Sequence, residues 1–85
     1  MILKMFSVYD TKAAVFHAPF FTPSKVECDR FLSRAVQDLA SDYKEFTSDY
    51  VLFELGEFDN LMGVIAVYDN RHNCGPLTQY KKDCS

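Results

Sequence analysis

The chain has 85 residues, 48% of them hydrophobic and 25% charged, with a formal net charge of -3. That length allows one domain and excludes multi-domain enzymes and dinucleotide-binding folds; no run approaches the roughly 18 apolar residues of a membrane span, so no membrane partner is expected. The acidic balance also excludes a strongly basic nucleic-acid coat protein.

Ile2 to Tyr9 is β-prone, with Phe6 and Val8 on one face and Leu3, Met5 and Tyr9 on the other. Apolar residues at both parities predict a strand that is central or covered on both sides. Asp10-Thr11-Lys12 reads as a turn. Ala13 to His17 is a second, shorter strand, closed by Pro19 and placed at an edge.

Thr22-Pro23-Ser24-Lys25-Val26-Glu27 marks a helix start. Either Thr22 caps with Pro23 at the first helical position, or Ser24 caps and Glu27 closes a capping box. Cys28, Phe31, Leu32, Ala35, Val36 and Leu39 then recur at spacings of three and four, one apolar stripe facing a core. The acidic stretch from Asp42 to Asp49 extends this helix or forms a loop.

Tyr50 to Phe58 is a third strand, with Val51, Phe53 and Leu55 on one face and Tyr50, Leu52 and Glu54 on the other. Asp59-Asn60-Leu61-Met62-Gly63 is a turn, and Val64 to Tyr68 completes an antiparallel hairpin. From Asp69 the chain is polar and holds Gly75-Pro76, which predicts a mobile tail. The expected organisation is one domain over residues 1–68 and a polar tail over 69–85.

The expected fold is therefore α+β: a small antiparallel sheet of about four strands in ββαββ order, with one helix packed on one face. One helix covers one face only, so the other is solvated or meets a partner, a homodimer included. The aromatic share is 15%, with eight Phe and five Tyr. Phe6, Phe31, Phe53 and Phe58 are expected in the core. Tyr9, Tyr50 and Tyr68 fall on three predicted strands and could share the uncovered face, as packing residues, dimer contacts or platforms for base stacking.

Little points to catalysis or cofactors. Glycine-rich phosphate loops, Gly-x-Ser-x-Gly and His-Glu-x-x-His are all missing, so neither an enzyme nor a cofactor is expected. Pairs such as Glu54 with Glu57, or Asp59 with Asp69, read as solvated hairpin residues. His72, Cys74 and Cys84 fall short of the four ligands of a structural zinc site, so no metal is expected. Three cysteines and an N-terminus without a signal-peptide pattern fit a reducing cytoplasm.

Met5-Phe6-Ser7-Val8-Tyr9-Asp10-Thr11-Lys12-Ala13 resembles the opening of the small non-structural protein of gokushovirus-type microviruses, icosahedral phages with small single-stranded DNA genomes. The resemblance continues through Phe16, Pro19-Phe20 and Arg30-Phe31. It returns at Asp49 to Asp59, where Tyr50, Leu52-Phe53, Gly56 and Phe58-Asp59 form its most specific stretch. It covers roughly residues 5 to 63. It implies a phage protein outside the virion shell, acting in the cytoplasm of the infected bacterium. It further implies binding to DNA, single-stranded above all, during genome synthesis or packaging, with viral replication or packaging proteins as partners.

With a net charge of -3, phosphate contacts must come from a local cluster. Arg30 and Arg34 lie one helical turn apart, Lys44 follows if the helix extends, and Lys12 and Lys25 lie near a strand end and the helix start. The candidate nucleic-acid-binding residues are therefore Arg30, Arg34, Lys12, Lys25, Lys44, Tyr9, Tyr50 and Tyr68. The alternative is a homodimeric protein-protein interaction module that acts on a viral or host protein without touching DNA.

Overall fold

The computed structural model describes residues 1–37 and 47–80. Strands β1 (Ile2–Asp10), β2 (Val15–Phe16) and β3 (Phe20–Thr22) precede helix α1 (Lys25–Gln37). A 3-10 turn (Thr47–Asp49) leads into β4 (Tyr50–Asp59) and β5 (Val64–Pro76), and a second (Leu77–Tyr80) follows. The sheet is antiparallel in the order β2-β1-β4-β5, and β3 pairs with β1 beyond β2. The fold is α+β with one helix, as expected; β3 is an additional short strand that follows Pro19.

β1 is central, and Met5 through Val8 are all buried. Phe6 and Val8 face α1, where they form a core with Cys28, Leu32, Val36, Tyr50 and Leu52. Met5 and Ser7 point the other way. The Ser7 hydroxyl donates to the His17 carbonyl at 2.7 Å, so this buried polar group is satisfied.

Ser24 is the helix cap: its Oγ accepts the Glu27 N–H at 3.4 Å. Cys28, Leu32 and Val36 repeat every four residues and carry the buried stripe. Phe31 lies at the stripe's margin, 51% exposed, with its ring 5.0 Å from that of Phe20. Leu39 and the acidic segment up to Phe46 lie outside the described residues.

Two expectations are corrected. Residues 69–80 are not a detached tail: β5 continues to Pro76, and Leu77 and Tyr80 join the core. Residues 69–76 look like a tail because they form an edge strand with mostly exposed, polar side chains. Of the four phenylalanines assigned to the core, only Phe6 is buried. Phe53 pairs across from Ser7 and Phe58 from Leu3, so both lie on the face away from the helix.

At 13 residues, α1 is about 20 Å long, whereas the molecule extends 45 Å along its longest axis. The helix thus covers one end of the sheet. Among the described residues, no helix covers either face of the far end, where β4 and β5 meet at the turn from Asp59 to Gly63.

Candidate nucleic-acid interface

The strand register sorts the charges. On the helix side lie Lys4 and Asp10 of β1 and Glu54, Glu57 and Asp59 of β4. Lys4 sits between two of these carboxylates, 3.9 Å from Glu54 and 3.5 Å from Glu57. The register-paired positions of the opposite face are Leu3, Met5, Ser7, Tyr9, Phe16, Phe21, Val51, Phe53, Gly56, Phe58, Ile65, Val67, Asn73 and Pro76. None is charged. A chain of net charge -3 therefore carries a sheet face whose paired positions hold no carboxylate.

Three half-buried rings cluster on that face. Tyr9 and Phe16 have centroids 4.6 Å apart, Phe16 and Phe53 5.5 Å, and Tyr9 and Phe53 6.2 Å in an edge-on contact. Such offset and edge-to-face contacts are the favoured aromatic geometries. The exposed Arg71 guanidinium lies over two of the rings, 5.2 Å from Phe16 and 5.8 Å from Phe53.

Local structure explains the assembly. Asp10 Oδ1 accepts the N–H groups of Lys12 and Ala13 at 2.9 and 3.1 Å, and Ala14 takes a left-handed φ of 57°. The chain reverses tightly and sets Phe16 opposite Tyr9. On the other side, the β4–β5 register shifts between Glu54 and Gly56. Residues 68–71 of β5 bulge there, and the bulge delivers Arg71 to the rings.

The tyrosines expected on one face are divided. Tyr9 belongs to the aromatic cluster. Tyr50 is buried in the core on the helix side, 5.7 Å from the His17 ring. Tyr68 donates a hydrogen bond to Glu54, also on the helix side, and that bond raises its pKa. The basic candidates are dispersed too. Lys12 is exposed in the β1–β2 turn. Lys25 bonds Asp29 at 2.7 Å, Arg30 pairs with Glu27 at 3.6 Å, and Arg34 is exposed on the same helix. Lys44 lies outside the described residues. The rings and Arg71 thus occupy one side of the sheet while Lys25, Arg30 and Arg34 belong to the helix on the other.

Phe16, Phe53 and Arg71 were not among the sequence candidates. The signal for Phe53 was its parity, opposite to Tyr50 and Leu52 on the same strand. Arg71 gave no signal, because its polar neighbours masked a strand.

Burial pushes the Cys28 thiol up to about 12, against the opposing charge of Lys25. Among the described residues, no three His, Cys, Asp or Glu side chains converge as a metal site would require.

A family model described as phage ORF5 protein matches residues 3–79. The chain belongs to the phage ORF5 protein family. The match spans all five strands, the helix and Leu77, and includes the Tyr9, Phe16, Phe53 and Arg71 cluster. This ORF5 family member is accordingly a bacteriophage protein, made in the host during infection. No curated protein and no solved structure matches the chain. Among the described residues, no helix is long and apolar enough to cross a membrane.

Proposed function

We propose that this phage protein is a non-enzymatic DNA-binding protein that takes single-stranded DNA on the sheet face opposite the helix. The observation that carries the proposal is the aromatic cluster of Tyr9, Phe16 and Phe53 under Arg71, on a face whose register-paired positions hold no carboxylate. Unpaired bases stack on aromatic rings and on guanidinium planes at about 1–3 kcal/mol per base. Arg71 supplies a cation for the phosphate beside a stacked base, and the exposed Lys12 lies in the turn that carries Phe16. The carboxylates of β1 and β4 lie on the opposite face, where they do not repel the strand.

The resemblance to the small non-structural protein of gokushovirus-type microviruses gives this chemistry a setting. It supports action in the cytoplasm of the infected bacterium, outside the virion shell, during genome synthesis or packaging and alongside viral replication or packaging proteins. Fluorescence anisotropy with a labelled single-stranded oligonucleotide tests the binding. The expected result is binding at low salt that weakens as salt rises, and a loss of about tenfold in affinity for Arg71→Ala. Arg30→Ala with Arg34→Ala, on the helix side, should cost less. A folded sample that leaves the oligonucleotide unbound at low salt overturns the proposal. The protein-protein reading without DNA contact would then stand, supported by the exposed apolar side chains of the β4–β5 hairpin.

A further inference from the structure

The far end of the sheet is unfinished. β5 is the last strand in the order β2-β1-β4-β5, and its outer edge pairs with no strand among the described residues. Val64 through Val67 are exposed along their length. Leu61, Met62, Val64, Ile65 and Val67 are each more than half exposed. On the helix-side face a groove of about 310 Å³ lies open, with the carboxylates Glu57 and Asp59 beside Ile2, Met62, Val64 and Ala66 in its walls.

We infer that a second copy of this chain occupies that edge, pairing β5 with β5 about a two-fold axis through Val64–Val67. Natural edge strands resist such pairing with charged side chains, proline or a bulge. Residues 64–68 carry no charge and no proline, and the bulge begins only after Val67. Antiparallel apposition of this segment with itself places no like charges opposite each other. A foreign strand would find no charge on residues 64–68 to select it, whereas the same segment on another copy is complementary by symmetry.

The remaining charges permit the pairing. Glu57 and Asp59 sit on β4, one strand in from the edge. Joining two β5 edges leaves the two β4 strands three strand spacings apart, about 14 Å, beyond the ~8 Å screening length at physiological salt. Five exposed apolar side chains make an interface smaller than the standard one of about 800 Å² per partner. Main-chain hydrogen bonds between the free edges add to this, and the expected dimer dissociates in the micromolar range.

Sedimentation equilibrium on the full chain across a concentration series tests the assignment. The expected result is a monomer–dimer equilibrium. Val64→Lys and Val67→Lys lie on opposite faces of the same edge, and each should raise the dissociation constant about tenfold or more. Both positions are exposed, so circular dichroism should show the fold intact. A strict monomer at high micromolar concentration leaves the edge to a foreign strand and overturns the inference. Open-ended, polydisperse association overturns it too. Weakening by Val67→Lys alone would indicate packing through the open face and equally overturn the edge assignment.

Discussion

The Tyr80 hydroxyl donates a 2.6 Å hydrogen bond to Asp29 Oδ1, across 51 residues of chain. The same carboxylate oxygen accepts the Lys25 ammonium at 2.7 Å, and Gln37 donates to the Tyr80 carbonyl at 3.1 Å. With Leu77 fully buried beside them, these contacts clamp the segment after β5 onto the helix. Residues 77–80 therefore complete the core. Leu77→Ala should cost about 2–5 kcal/mol, the range for deleting a buried leucine side chain. Tyr80→Phe keeps the ring and loses the bond, at a cost of about 1 kcal/mol, or roughly 4–8 °C in Tm for a domain of this size. Urea denaturation and a thermal scan measure both. Wild-type stability in Leu77→Ala would return the segment to the status of a tail.

The same contact sets an acid limit. Burial alone would raise the Asp29 pKa, but the hydrogen bonds from Lys25 and Tyr80, with the Lys25 charge, bring it below its ordinary 3.8. A carboxyl whose folded pKa is depressed stabilises the fold above its unfolded pKa, and that contribution disappears as pH falls through the folded value. Stability should therefore hold to about pH 4 and decline below it, as far as this residue contributes. In Tyr80→Phe the Asp29 pKa moves back up towards its ordinary value, so less stability is lost as pH falls below about 4. Carboxyl titration by NMR in the two proteins checks the direction. An unchanged Asp29 pKa in the variant would contradict the structural account.

Legibility of the fold tracked local chemistry. The helix start was written in Pro23, Ser24 and Glu27, and the hairpin in the Asp59–Gly63 turn, where Asp59 Oδ1 accepts the Leu61 and Met62 N–H groups and Gly63 takes φ 67°. The irregularities were not legible. A register shift between Glu54 and Gly56, which leaves Leu55 unpaired, breaks the period of two that parity arguments need. Leu77 and Tyr80 are isolated apolar residues in a polar run and form no pattern. The candidate site combines Tyr9, Phe16, Phe53 and Arg71 from four strands, so no spacing in the sequence brings them together. Tyr9 was identified by type, while Tyr50 and Tyr68 were grouped with it although they lie on the other side.

At Gly56 the backbones of β4 and β5 leave no room for a side chain. A Cβ placed there would lie 2.2 Å from the Ala66 carbonyl oxygen and 3.0 Å from the Val67 Cα. Both are backbone atoms, so no side-chain rotation relieves the clash and the strands must separate. Gly56→Ala should therefore cost about 1–3 kcal/mol, the range for overpacking. Amide shifts should change most along Val64–Val67. A neutral substitution measured by urea denaturation would show that the bulge has more room than this geometry allows.

A dimer paired through β5 would couple DNA binding on its two open faces. Antiparallel pairing of two β5 edges uses a two-fold axis perpendicular to the sheet, so both open faces end on the same side of the dimer. Phe53 lies five residues from Phe58, which pairs with Ile65 near the axis. Strand rise and spacing then put the two Phe53 rings roughly 35 Å apart. A long single strand can reach both clusters, whereas a short one reaches only one, and linkage of weak sites raises affinity steeply. Val64→Lys, whose side chain lies on the helix-side face, should weaken binding of a long oligonucleotide while leaving a short one unaffected. Arg71→Ala should weaken both. Anisotropy titrations at two oligonucleotide lengths separate these outcomes: equal losses for Val64→Lys at both lengths would mean that the dimer does not join the two faces, even if each face binds DNA.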